Sequence, residues 1–155
     1  MHPHPKGRGS SFEYPVGGLL QVKHILKEEE IRQPTLLDKN GEECLIVIKN
    51  GKSTGVTIGR GTSIESFVRE YSNYGIKSMS MEIAIHPYNH KSGAFSAPGD
   101  LGSIIVDGPG RIIGLLTAGS GKTESTDVAY ATPYFWIEEQ IKKDFPDSYL
   151  YPIKE

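Results

Sequence analysis

The stretch that most restricts how this chain can fold is Ser103 to Leu116, SIIVDGPGRIIGLL. Two apolar runs rich in β-branched residues flank Asp107-Gly108-Pro109-Gly110, a cluster that turns a chain and cannot continue a strand or helix. The runs must return antiparallel on one another. A two-stranded ribbon is marginal alone in water, so the rest of the chain has to supply more strands. Just before this hairpin stands Phe95 to Gly102, FSAPGDLG, in which a Gly-Asp-X-Gly turn carries Leu101 at its variable position.

The remaining strands are read from periodicity and punctuation. Leu19 to Ile25 alternates roughly like a strand, and the charged Lys27 to Arg32 reads as a turn or short helix edge stopped by Pro34. Asp38-Lys39-Asn40-Gly41 is a turn signal ahead of Cys44 to Ile48, a continuous apolar run that reads as a buried strand. Asn50-Gly51 predicts a tight hairpin with positive φ at both residues, and Thr54 to Ile58 is its partner strand. Gly59 and Gly61 lead into Ser63 to Tyr71. Ile64 and Val68 there have helical spacing, but β-branched and aromatic residues favour a strand. Met79 to His86 alternates cleanly, with Met79, Met81, Ile83 and Ile85 on one face and Pro87 at its end. Asn89 to Ala94 and Ser120 to Asp127 read as polar loops, and Val128 to Ala131 as a closing strand. Thr132 then suits a helix N-cap and Pro133 the first helical position. Trp136, Ile137, Ile141 and Phe145 fall on one face of that helix, which runs up to Pro146. Six or seven strands followed by one helix predict an all-β antiparallel barrel or sandwich with a C-terminal helix. Residues 1–18 read as a flexible tail, 19–145 as one domain and 146–155 as a second tail.

Composition narrows the function classes. Seventeen basic against nineteen acidic residues give a formal charge of -2, which offers no polyelectrolyte attraction to nucleic acid or an anionic membrane. Cys44 is the only cysteine, so no intrachain disulfide can form, and a reducing, intracellular compartment is expected. No run approaches the ~18 apolar residues of a membrane span, and the N-terminus has no apolar segment of signal-peptide type. No cofactor or metal is expected. His2 and His4 lie among prolines, and His86 and His90 are separated by Pro87, which denies them a shared helical face. Gly119-Ser120-Gly121-Lys122-Thr123 resembles the end of a phosphate loop, but the motif needs a glycine where Leu116 stands and a helix after Thr123. Cys44, inside an apolar run, reads as a buried and inert thiol.

Gly99-Asp100-Leu101-Gly102-Ser103 resembles the nucleophile motif Gly-Asp-Ser-Gly-Ser of the fungal and bacterial branch of chymotrypsin-like serine peptidases. The resemblance extends to Lys49 through Gly59, similar to the strand pair that opens the second barrel of that branch. It continues through Val106 to Leu116, the hairpin after the serine, and through Thr117-Ala118-Gly119, the edge on which substrate peptides pair. Asp127 to Pro133 and the helix with Trp136 resemble the last strand and C-terminal helix. Over residues 42 to 145 the resemblance implies a six-stranded antiparallel β-barrel, one half of a chymotrypsin-like double barrel, closed by a C-terminal α-helix.

Two departures bear on activity. Leu101 takes the nucleophile position, and leucine can neither form an acyl-enzyme nor hydrogen-bond an imidazole. The residues upstream of 40 are too few for the barrel that carries the family's histidine and aspartate, and His24 is the only histidine between the tail and the barrel. The expectation is a catalytically inactive peptidase homologue in which the amides of Gly99 and Leu101 persist as an oxyanion-hole remnant. Asp100, Gly102 and Ser103 keep the turn. The alternatives are a serine hydrolase completed by another chain or another nucleophile, Ser96 or Ser103, and a barrel that binds a peptide along Thr117, Ala118 and Gly119. Half of a two-barrel fold also predicts a face for a protein partner or for self-association, covered in part by the N-terminal forty residues.

Overall fold

The computed structural model describes residues 20–38, 40–71, 77–89, 91–120 and 127–150. Helix α1 (Glu28–Arg32) precedes strands β1 (Leu45–Gly51), β2 (Gly55–Tyr71), β3 (Lys77–Pro87), β4 (Ile104–Asp107), β5 (Ile112–Ser120) and β6 (Val128–Pro133), and helix α2 (Tyr134–Asp144) ends the series. The strands close into a barrel in the order β1-β2-β3-β6-β5-β4, and every neighbouring pair is antiparallel. The expected six-stranded barrel with a C-terminal helix is therefore the fold.

Alternation along the strands builds two apolar layers. Val47, Ile83, Ile85, Ile105, Ile113, Leu116, Ala129 and Ala131 point into the barrel around Phe95. Ile48, Val106 and Ile112, offset by one residue or sitting across the ladder, form a second cluster with Leu20, Ile58 and Tyr134. This is why Cys44 to Ile48 and the pair Ile105-Val106 are unbroken apolar runs: side chains on both of their faces pack into one cluster or the other. Leu26 and Ile31, from the segment before the barrel, are buried in the main core, and each such side chain contributes roughly 1.5–3 kcal/mol.

The β4–β5 hairpin forms as its punctuation predicts, with Ile104 opposite Leu115 and Val106 opposite Ile112. Gly110 has φ 92, and a Cβ there would collide with the carbonyl of Gln21. The N-terminal segment crosses this turn too closely for any other residue.

Several local expectations are corrected. Asn50-Gly51 is not the hairpin turn. Asn50 pairs with Val56 and Gly51 with Gly55, so Lys52-Ser53-Thr54 form the loop and Gly55 takes the positive φ, 65. Gly51 is needed for another reason, because a Cβ there would overlap the carboxylate of Asp100. Residues 20–25 do not form a strand. Ile25 makes one parallel bridge to Ile112, and His24, at φ 55, breaks the extended run. Of the predicted apolar face of β3, Ile83 and Ile85 enter the core, while Met81 is exposed. β6 pairs with β3 over Ile83 to Ile85 alone, so Met81, opposite Phe67, lies where the β2–β3 ribbon has passed the barrel wall.

Thr132 belongs to β6, and Pro133 holds the N-cap position of α2 with no side-chain cap. The α2 helix has no buried residue: Trp136, Ile141 and Phe145 are exposed. Only its first turn engages the barrel, through Tyr134 and Phe135. The readings at residues 1–19, Lys39, His90, 121–126 and 151–155, and those on the side chains of Ile64, Val68 and Met79, lie outside the described residues. No helix is long and apolar enough to cross a membrane, and no group of three metal-ligating side chains occurs, among the described residues.

Candidate functional site at the Gly-Asp-Leu-Gly turn

Asp100 is fully buried at the centre of the turn. Its Oδ1 accepts the amides of Ser53 at 2.7 Å and Thr54 at 3.3 Å. Its Oδ2 accepts the Lys49 ammonium at 3.0 Å, the Thr54 hydroxyl at 2.6 Å and the Ala97 amide at 3.1 Å. Lys49 is itself buried and also donates to Thr54 Oγ1 at 2.6 Å. Burial alone would push the Asp100 carboxyl upward, but the donors from Thr54, Ser53, Lys49 and Ala97 outweigh it and hold the group well below the usual carboxylate range. The Lys49 ammonium lies 5.4 Å from the centre of the Phe95 ring, which adds a cation–π contact in a water-poor site.

This network ties the turn to the β1–β2 hairpin. The Ser53 hydroxyl adds a bond to Pro98 O at 2.7 Å, and it fills the space a side chain at position 99 would need. Gly99 and Gly102 take φ 101 and 84. On the other flank Gly102 N donates to Leu116 O at 2.8 Å, and Leu116 N to Ser103 O at 3.0 Å. The turn is thus clamped between two hairpins.

Leu101 stands out from this clamp with 63 % of its surface exposed. The Ser103 hydroxyl donates to Asp100 O at 2.5 Å, which commits its proton inside the turn. Ser96 lies near Gly119, and no described histidine is hydrogen-bonded to either serine; His24 and His86 are exposed. The amides of Asp100 and Ser103 are used inside the turn and that of Gly102 on Leu116 O, whereas those of Gly99 and Leu101 have no hydrogen-bond partner among the described residues. Thr117, Ala118 and Gly119 lie on β5 beyond its pairing with β4, which ends at Leu115. Their other side is held by β6.

Sequence reasoning missed two features. Lys49 and Thr54 belong to the stretch on which the family resemblance rests, yet a lysine in a strand reads as a surface residue, and nothing local reveals its buried partner 51 residues away. Glu82 read as the polar face of β3, but it is buried and accepts bonds from Thr132 Oγ1 at 2.9 and 3.1 Å and from Thr117 Oγ1 at 3.2 Å. Cys44 is buried as expected, and burial pushes its thiol up, away from nucleophilic use.

No family model and no curated protein matches the chain. Among solved structures it is similar to the chymotrypsin of Cellulomonas bogoriensis, with a TM-score of 0.51 and 19 % identity over 84 % of this chain and 55 % of that one. It is also similar to a glutamic acid specific serine protease that uses a histidine triad in substrate binding, with a TM-score of 0.51 and 16 % identity over 93 % of this chain and 62 % of that one. The barrel is therefore of the chymotrypsin-like type, and the chain spans little more than half the length of these structures.

Proposed function

We propose that this chain is a catalytically inactive member of the serine-peptidase fold, in which the nucleophile turn is retained as a rigid structural and binding element. The observation that carries this reading is the state of the turn. The polar side chains that shape it, those of Lys49, Asp100 and Ser103, are hydrogen-bonded, while the position that would attack a carbonyl holds an exposed leucine. A hydrophobic side chain has no proton to give and no lone pair to attack with. The free amides of Gly99 and Leu101 support binding of a carbonyl oxygen, but donors alone leave catalysis orders of magnitude below a working triad.

Reaction of the purified protein with a fluorophosphonate probe tests this directly, and no covalent label is expected. The Leu101→Ser variant is expected to remain inactive on a peptide amide, because no described histidine stands beside position 101. A labelled wild-type protein whose label disappears in Ser96→Ala or Ser103→Ala would replace this reading with that of a hydrolase using another nucleophile.

A second reading is favoured by the β5 edge. Thr117 to Gly119 have a strand on one side only among the described residues, and an edge of this kind captures extended peptide by strand addition. Leu101 and Ile104, both exposed, supply apolar surface beside it. Saturable binding of unstructured peptides, lost when Ala118 is replaced by proline, is the expected result.

A further inference from the structure

Glu82 is 5 % exposed, on the face of β3 opposite the one that places Ile83 in the core. Its only hydrogen-bond partners among the described residues are two threonine hydroxyls, and that of Thr117 lies equally 3.2 Å from Tyr130 O, so one proton serves two acceptors. No lysine, arginine or histidine among the described residues pairs with it. The contrast with Asp100 is plain: one buried carboxylate has five donors, one of them an ammonium, the other has two hydroxyls. A carboxylate has room for about four donors, so Glu82 keeps acceptor capacity that the described chain does not fill. Thr117 is exposed and belongs to the open β5 edge, which puts Glu82 one hydroxyl away from that edge.

We infer that Glu82, flanked by Thr117 and Thr132, takes a basic side chain, preferentially a guanidinium, from a polypeptide lying on the β5 edge. The inference rests on the peptide-edge reading above and adds its specificity. A guanidinium brings charge and several N–H donors in a planar fork, matching what the carboxylate lacks. An ammonium brings the charge without the fork.

The test uses two pools of acetylated, amidated hexapeptides, identical except that one carries arginine and the other neutral citrulline at a single position, scanned along the peptide. Binding is measured on the full chain and on its Glu82→Gln and Glu139→Gln variants, the last being a charge control on exposed α2. At one position the arginine pool should bind about tenfold or more tighter than citrulline, as for a hydrogen-bonded ion pair. That preference should disappear in Glu82→Gln and persist in Glu139→Gln. Equal binding of both pools overturns the inference and leaves the peptide-edge reading standing. Binding of neither pool removes both. The thermal midpoint gives a separate readout: a carboxylate kept for a ligand leaves the free protein less stable than it could be, so Glu82→Gln should raise the midpoint. A fall in the midpoint makes the group structural and also overturns the inference.

Discussion

At the scale of single residues, the molecule depends most on the Lys49–Asp100 pair, in which both side chains are fully buried. Removing one partner strands the other charge away from water. Lys49→Met is therefore expected to cost about 3–5 kcal/mol, read as a lower urea midpoint with an unchanged slope. The pair also fixes an acid response. Because the Asp100 carboxyl is held low in the folded state, that state binds fewer protons than the unfolded chain, whose aspartates titrate near about 3.9. Its contribution is present in full above that value and is lost as the pH falls through and below about 4. A series of urea titrations from pH 6 downward should show this decline in the wild type and a shallower one in Asp100→Asn. That position 101 carries no hydroxyl was legible in the sequence, because the identity of one residue in a turn is a local fact. The partners of Asp100 were not, because a buried ion pair joins positions whose own neighbours give no sign of it. Gly51 illustrates the difference: it read as a turn glycine and is instead the space into which that carboxylate fits.

Among elements, the barrel strands and the C-terminal helix were legible, while the cap and the packing of that helix were misread. Period-two alternation and turn residues identify a strand wherever it pairs, as in the β4–β5 hairpin. A helix reveals only that one face is apolar, not whether anything covers it. In α2 the stripe of Trp136, Ile141 and Phe145 remains exposed, while Phe135, outside that stripe, packs on the core. The two adjacent aromatics should behave differently. Phe135→Ala is expected to destabilise by about 2 kcal/mol, below the range for a fully buried phenylalanine, and Trp136→Ala by less than about 0.5 kcal/mol. Chemical denaturation of the pair checks this. Thr132 was misassigned for a related reason. A threonine before a proline and an apolar turn fits an N-cap, but the buried carboxylate of Glu82 takes its hydroxyl.

On the scale of the whole molecule, the segment from residue 20 to residue 38 adds Leu26 and Ile31 to the barrel's core and is not a passive lead-in. Leu26 is 1 % exposed in the main core, so Leu26→Ala should cost about 2–5 kcal/mol, whereas exposed Leu37→Ala should be nearly silent; thermal melts of the two variants give the comparison. The segment is held by few backbone bonds: Lys23 N to Gly110 O, Leu26 N to Ile112 O and Ile112 N to His24 O. The six-strand ladder closes without any of them. This makes the segment a latch in the kinetic sense, able to open as a unit while the cylinder stays shut. Deuterium exchange should accordingly resolve two populations of protected amides. Those of Lys23, Leu26 and Ile112 would take up label together, well ahead of Ile105 and Ile113 a few residues away, and the gap between the two rates would measure the free energy of that opening.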